Sequence, residues 1–78
     1  MLRVDTDPGA DAVYIELLAG ERIHITEELD DNRLIDRTLE GKAVGVDLLA
    51  VSQGVKLEGL PEPDTIKRIL VGLGVRAY

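Results

Sequence analysis

Hydrophobic and polar residues alternate with a period of two along most of the first fifty positions of the chain. Residues 2–5 read LRVD, and residues 12–18 read AVYIELL, where Val13, Ile15 and Leu17 alternate with Tyr14 and Glu16. A period of two is typical of a strand with one buried face, and β-branched and aromatic residues favour strands. The pattern therefore predicts two strands that bury their aliphatic side chains.

Three more alternating segments follow, at residues 22–29 (RIHITEEL), 33–39 (RLIDRTL) and 43–51 (AVGVDLLAV). Short turn-like stretches separate them, and residues 19–21 (AGE) predict a hairpin connection between the second and third strands. Parallel crossovers need longer connections, so the short turns predict an antiparallel meander of about five strands. We expect Leu18, Ile35 and Leu49 to make the second face of this sheet partly apolar.

The last third of the chain has a different pattern. Residues 55–63 are rich in glycine and proline and predict a loop, whereas Ile66, Ile69, Leu70 and Leu73 recur at helical spacing. An amphipathic helix is predicted over 64–74, ending in a left-handed residue at one of two glycines, Gly72 or Gly74. The whole chain, 1–78, is predicted to be one α+β domain, with a β-rich part over 1–54 and the helix covering one sheet face.

Composition narrows the classes of function. The 78 residues carry a formal net charge of −6 and contain no cysteine. The negative charge disfavours nucleic-acid binding by the chain alone, and it is compatible with a basic protein partner. No signal sequence or long apolar run is evident, so we expect a cytoplasmic protein without a membrane span. A domain of this size is marginally stable alone, which favours a homodimer.

The acidic segment at residues 5–12 (DTDPGADA) is the main candidate for chemistry. Asp5, Asp7 and Asp11, with Glu16, could serve a metal-binding protein or a metal-dependent enzyme. The segment resembles the calcium- and ribose-binding motif of nucleoside hydrolases, but Ala12 stands where that motif has its last aspartate. The alternative, which we favour, is a tight turn in which Asp7 or Asp11 accepts hydrogen bonds from backbone amides. We therefore assign no metal ligand.

Other candidate residues are isolated. His24 is the only histidine, and no serine or cysteine nucleophile accompanies it in a recognisable motif. Residues 26–31 (TEELDD) contain four carboxylates, which could attract a basic partner but are more typical of a solvated strand end. No glycine-rich phosphate loop is evident. We therefore predict no catalytic residues and no cofactor.

Three segments together resemble a family of small bacterial and archaeal proteins, the domain-of-unknown-function family numbered 2283. They are residues 7–17 (DPGADAVYIEL), 26–36 (TEELDDNRLID) and 40–54 (EGKAVGVDLLAVSQG). Thr6 and Asp47 depart from the family's usual aromatic residue and glutamate. The resemblance implies a compact β-rich module with no assigned activity, cofactor or site residue. Some members are encoded beside small toxin-like proteins, which implies an antitoxin-like arrangement.

Two hypotheses follow from the sequence. The preferred one is a non-enzymatic interaction module that forms a homodimer and is the acidic partner of a basic small protein. The alternative is a metal-binding protein or metal-dependent enzyme that uses the Asp5, Asp7 and Asp11 turn.

Overall fold

The computed structural model describes residues 2–78, and its five strands and C-terminal helix confirm the predicted α+β class. Two single-turn 3₁₀ helices, at Pro8–Ala10 and Val51–Gln53, lie between the longer elements. The strands and the helix have the following bounds: β1 Arg3–Asp7, β2 Ala12–Glu16, β3 Ile25–Asp30, β4 Arg33–Arg37, β5 Ala43–Leu48 and α1 Pro63–Gly72. The helix is therefore one residue earlier at its start and two shorter at its end than the predicted 64–74.

All neighbouring strands are antiparallel, in the order β1-β2-β5-β4-β3. Strands that follow one another in the chain are paired, as in a meander, in β1–β2 and in β3–β4–β5. Strands β2 and β3 are not neighbours, because β5 and β4 lie between them. The hairpin predicted at residues 19–21 is therefore wrong. The amides of Leu17 and Leu18 donate to the carbonyl of Val44 on β5, whereas the amide of His24 donates to Arg37 on β4. Residues 17–24 thus carry the chain across to the opposite edge of the sheet.

The core lies between one face of the sheet and the C-terminal part of the chain. It is built from aliphatic side chains alone: Val13, Ile15, Leu17, Ile35, Val46, Leu48, Val55, Leu60, Ile66 and Leu70. Ile35 is opposite Val46 in the β4–β5 register and is fully buried on this face, so its predicted place on the other face is wrong. Leu34 occupies the other face instead. Ile23 and Ile25, in the third alternating segment, are 47% and 57% exposed.

Helix α1 has the signals predicted for its two ends. Pro63 opens the helix, where its missing N–H costs no hydrogen bond. At the other end Gly74 takes φ +80, and the amides of Val75 and Gly74 donate to Leu70 (2.9 Å) and Val71 (3.0 Å). This is a Schellman motif, so Gly74 rather than Gly72 is the left-handed residue. Within residues 2–78 no helix is long and apolar enough to cross a membrane.

Two sets of contacts hold the loop before the helix in place. A parallel bridge joins Val55 to Ala77, so the last residues pair with the loop. Arg33, only 8% exposed, donates to the carbonyls of Lys56 and Glu58 and binds Asp30 through two nitrogens. Burial opposes ionisation of Asp30, but the Asn32 amide and the Arg33 guanidinium outweigh it and lower the pKa of Asp30. The Arg33 contacts therefore hold the loop before the helix against the sheet.

Candidate functional site

Among residues 2–78, no second layer covers the sheet face opposite the helix, and we call this face the open face. Because directly paired residues of an antiparallel sheet share a face, the strand register defines its membership. Two rows of side chains run across it in the order β1-β2-β5-β4-β3. The first row is Asp5, Tyr14, Asp47, Leu34 and Glu28, and the second is Arg3, Glu16, Gly45, Asp36 and Thr26.

Negative charge dominates the two rows of the open face. They contain five carboxylates and one guanidinium, that of Arg3. The Arg3 guanidinium lies 3.2 Å from the Asp5 carboxylate, on the edge strand β1. The rest of the two rows has no positive side chain, so the potential there favours the approach of basic groups.

A hydrogen-bonded chain crosses the centre of the open face. The Tyr14 hydroxyl donates to Asp36 at 2.9 Å, and the Thr26 hydroxyl donates to the other Asp36 oxygen at 2.6 Å. Tyr14 lies on β2 and Asp36 on β4, so the tyrosine ring must pass over β5. It does so above Gly45, which has no side chain to obstruct it. Burial, followed by the bond to Asp36, raises the pKa of Tyr14 to about 12.

The Asp47 carboxylate lies half-buried on the open face, on the strand next to that of Asp36. Burial, followed by repulsion from Asp36, raises its pKa above the usual 3.8, and no hydrogen bond offsets this. Asp47 lines a cavity of about 340 Å³ beside the β1–β2 turn, with Asp5, Asp7 and Leu49 among its other walls. A cationic group placed there would relieve the repulsion between Asp47 and Asp36.

The acidic segment forms a turn in which each aspartate has its own role. Asp5 pairs with Arg3, and Asp7 accepts from the amide of Ala10 at 3.1 Å. Asp11 accepts from both the amide (3.0 Å) and the hydroxyl (2.6 Å) of Ser52, far along the chain. Its carboxylate thereby ties the turn to the segment after β5.

Within residues 2–78 no group of three or more histidine, aspartate or glutamate side chains is arranged to hold a metal ion. The metal-dependent alternative remains a prediction, tested by the cation experiment described below for Asp11. In this turn the residue with a positive φ is Asp11 (φ 52), and Gly9 has a negative φ, a conformation that other residues also adopt. Aspartate tolerates this left-handed conformation better than most residues.

The remaining candidates do not converge on one place. His24 is exposed in the connection before β3. In the acidic run 26–31, Thr26 and Glu28 lie on the open face, whereas Glu27 lies on the other side and pairs with Arg37 at 3.0 Å. Sequence reasoning missed the Tyr14–Asp36 bond. Gly45, a glycine inside an otherwise apolar strand, was the available signal for it.

Fold and surface together define a small α+β domain with one covered sheet face and one open, acidic face. The chain belongs to the family described as "Protein of unknown function (DUF2283)", whose model matches residues 3–52. The matched part holds all five strands, and helix α1 lies beyond it. No curated protein and no solved structure matches the chain.

Proposed function

We propose that this chain is a non-enzymatic interaction module that acts as a homodimer and binds a basic small protein, in an antitoxin-like pairing. The carrying observation is the open face, with five carboxylates and one guanidinium in its two rows. The proposal locates the pairing in the cytoplasm, which suits a chain without cysteine.

The chemistry of the open face suits protein binding. Tyr14, Leu34 and Leu49 supply half-buried apolar and aromatic surface among the carboxylates. Tyrosine is enriched in protein interfaces because its ring is apolar and its hydroxyl is polar. A basic partner would bring Lys or Arg to the carboxylates and cover the ring with its aliphatic stems. Complementary charge of this kind acts strongly on the rate and specificity of association.

The test is a pull-down of tagged protein at native expression level from the lysate of its own organism, with mass spectrometry of the recovered proteins. The wild type is compared with a variant carrying Glu16→Gln, Glu28→Gln and Asp47→Asn, which removes three open-face charges. A matched control carries Glu21→Gln, Glu40→Gln and Glu58→Gln, all exposed and outside the two rows.

A basic small protein in stoichiometric amount should copurify with the wild type and the control and be lost from the open-face variant. Its recovery should also fall as salt is raised, because salt screens exposed charges. Equal recovery by both variants would exclude the open face as the binding surface. A strict monomer by light scattering, with no partner recovered, would remove the whole proposal.

A further inference from the structure

The sheet has two edge strands, β1 and β3, and each leaves one row of backbone N–H and C=O groups without a strand partner. Such an edge is a ready template for another strand, and natural proteins usually protect it with charges or bulges. The two edges of this sheet differ in how well they are protected. That difference indicates which edge pairs with a second copy of the chain.

Strand β3 is protected in two ways. Its residues, Ile25–Asp30 (ITEELD), include three carboxylates and no basic side chain, so no antiparallel register of two β3 strands gives an attractive charge pair between them. A register shift between Glu28 and Asp30 also interrupts its pairing with β4. Irregularities of this kind turn an edge away from further pairing.

Strand β1 has neither charge of a single sign nor an irregular register. Its five residues, Arg3–Asp7, pair with β2 in an unbroken register and contain no proline. They carry one basic and two acidic side chains. In an antiparallel pairing of two copies about a twofold axis at Val4, Arg3 of each copy lies opposite Asp5 of the other. Val4 then faces its own copy, and Leu2 faces Thr6.

Neighbouring registers are less favourable for β1. Shifting the axis to Asp5 places the two Asp5 carboxylates opposite each other, and shifting it to Arg3 does the same for the two guanidiniums. Opposite-charge cross-strand pairs stabilise a sheet by about 0.2–1 kcal/mol each, and like charges destabilise it. The axis at Val4 alone gives two attractive pairs and no repulsive one. It also covers Leu2, which is 39% exposed.

We infer that two copies of this chain pair through β1, in the register that places Arg3 of one opposite Asp5 of the other. The product is a continuous ten-stranded sheet. Because the twofold axis is perpendicular to the sheet, both helices lie on one side and both open faces on the other. This inference rests on the proposed homodimer and names the surface that forms it.

The test uses untagged protein, because a tag placed just before β1 would lie beside the proposed contact. Arg3→Asp and Asp5→Arg are made separately, and their oligomeric states are measured by sedimentation equilibrium over a concentration series. Each single variant places two like-charge pairs in the contact, so its dissociation constant should rise roughly tenfold or more. Arg68→Asp on the helix and Glu28→Arg on β3 are the matched controls, and they should dimerise like the wild type.

The decisive sample is an equimolar mixture of Arg3→Asp with Asp5→Arg. In a mixed pair the two substituted positions face each other with opposite charges, and the two unchanged residues, Asp5 of one chain and Arg3 of the other, do the same. Both cross-strand pairs are therefore attractive again. The mixture should form a heterodimer with nearly the wild-type dissociation constant, which also shows that both variants fold.

Each contrary result overturns a defined statement. If both single variants dimerise as tightly as the wild type, the proposed β1 contact is excluded and the homodimer itself is retained. Single variants that dissociate but do not associate when mixed remove the proposed register. A wild type that is monomeric throughout the concentration series overturns both this contact and the homodimer of the proposed function.

Discussion

Gly45 is the residue on which the centre of the open face depends. A Cβ atom at this position would lie 2.3 Å from the Tyr14 hydroxyl oxygen and 2.9 Å from the Ile15 carbonyl oxygen. Gly45→Ala should therefore displace the ring and break its bond to Asp36, lowering the free energy of unfolding by about 1–3 kcal/mol. Urea denaturation followed by circular dichroism measures this.

Gly72→Ala is the matched control for Gly45→Ala, because a Cβ atom there meets nothing within 4 Å. It should stabilise the helix by about 0.5–1 kcal/mol, since alanine is the better helix former. If both substitutions change stability equally, Tyr14 does not lie across Gly45 in solution.

Asp11 tests the turn against the metal-dependent alternative. Asp11→Ala removes both bonds to Ser52 and places alanine at φ 52, so it should cost about 2 kcal/mol. Asp11→Asn keeps one acceptor oxygen and a side chain that tolerates this φ, and should cost less than about 1 kcal/mol. Melting curves give both values.

The same melting curves are repeated with millimolar calcium, magnesium or manganese. A structural turn predicts no shift in the wild-type melting temperature. A rise that grows with cation concentration and is absent from Asp11→Asn would instead establish a metal site.

Some of the side-chain hydrogen bonds in the acidic turn were predictable from the sequence, and others were not. The types of hydrogen bond made by Asp7 and Asp11 were predictable, because short acidic side chains commonly accept from backbone amides. The bond partner of Asp11 was not, because Ser52 is 41 positions away and is brought close only by the pairing of β2 with β5. The Tyr14–Asp36 bond was hidden for the same reason.

At the scale of elements, the strands were predictable and their order was not. Alternation indicates which residues share a face, and it identified Val13, Ile15 and Leu17 correctly as core residues. It does not report which strands are neighbours. Residues 17–18 were predicted to end the second strand, 19–21 to form a hairpin and 22–24 to begin the third strand. In the structure, residues 17–24 form the connection from β2 to β3 at the opposite edge of the sheet. Ile35 was assigned to the wrong face because Leu34 and Ile35 are adjacent and both apolar, so the pattern does not show which of them faces the core.

Helix α1 supplies the cover that the five strands lack. Ile66 and Leu70 are fully buried against the sheet, although neither lies in the part matched by the family. Leu70→Ala should cost about 2–5 kcal/mol, a large part of the roughly 5–15 kcal/mol that stabilises a typical domain. Val71→Ala, on the next and 59% exposed residue, should cost less than about 0.5 kcal/mol. Urea titration of both measures the packing contribution of Leu70, because alanine is the better helix former at either position and neither substitution lowers helix propensity.

For the whole molecule, the proposed binding of a basic partner and the stability of the free protein make opposing demands on the open face. Its carboxylates suit a basic partner, but in the free protein they repel one another, and Asp47 is the clearest case. Its pKa is raised in the folded state, so the proton binds more tightly to the folded than to the unfolded chain. The ionised Asp47 therefore lowers the free energy of unfolding most at pH values above its folded pKa. This destabilisation decreases as the pH falls through that value.

Asp47→Asn removes this charge and keeps the shape of the side chain. It should raise the free energy of unfolding at pH 7, by about 0.5 kcal/mol on the scale of cross-strand charge pairs. The gain should shrink as the pH falls from the raised folded pKa toward the usual 3.8, and vanish below it, because the wild-type carboxylate is then protonated in both states. Urea titrations of both proteins from below pH 3.8 to pH 7 measure the difference, with Glu21→Gln as an exposed control. A gain that does not change with pH would show that the charge of Asp47 does not destabilise the folded chain. A basic partner would then relieve no repulsion at Asp47.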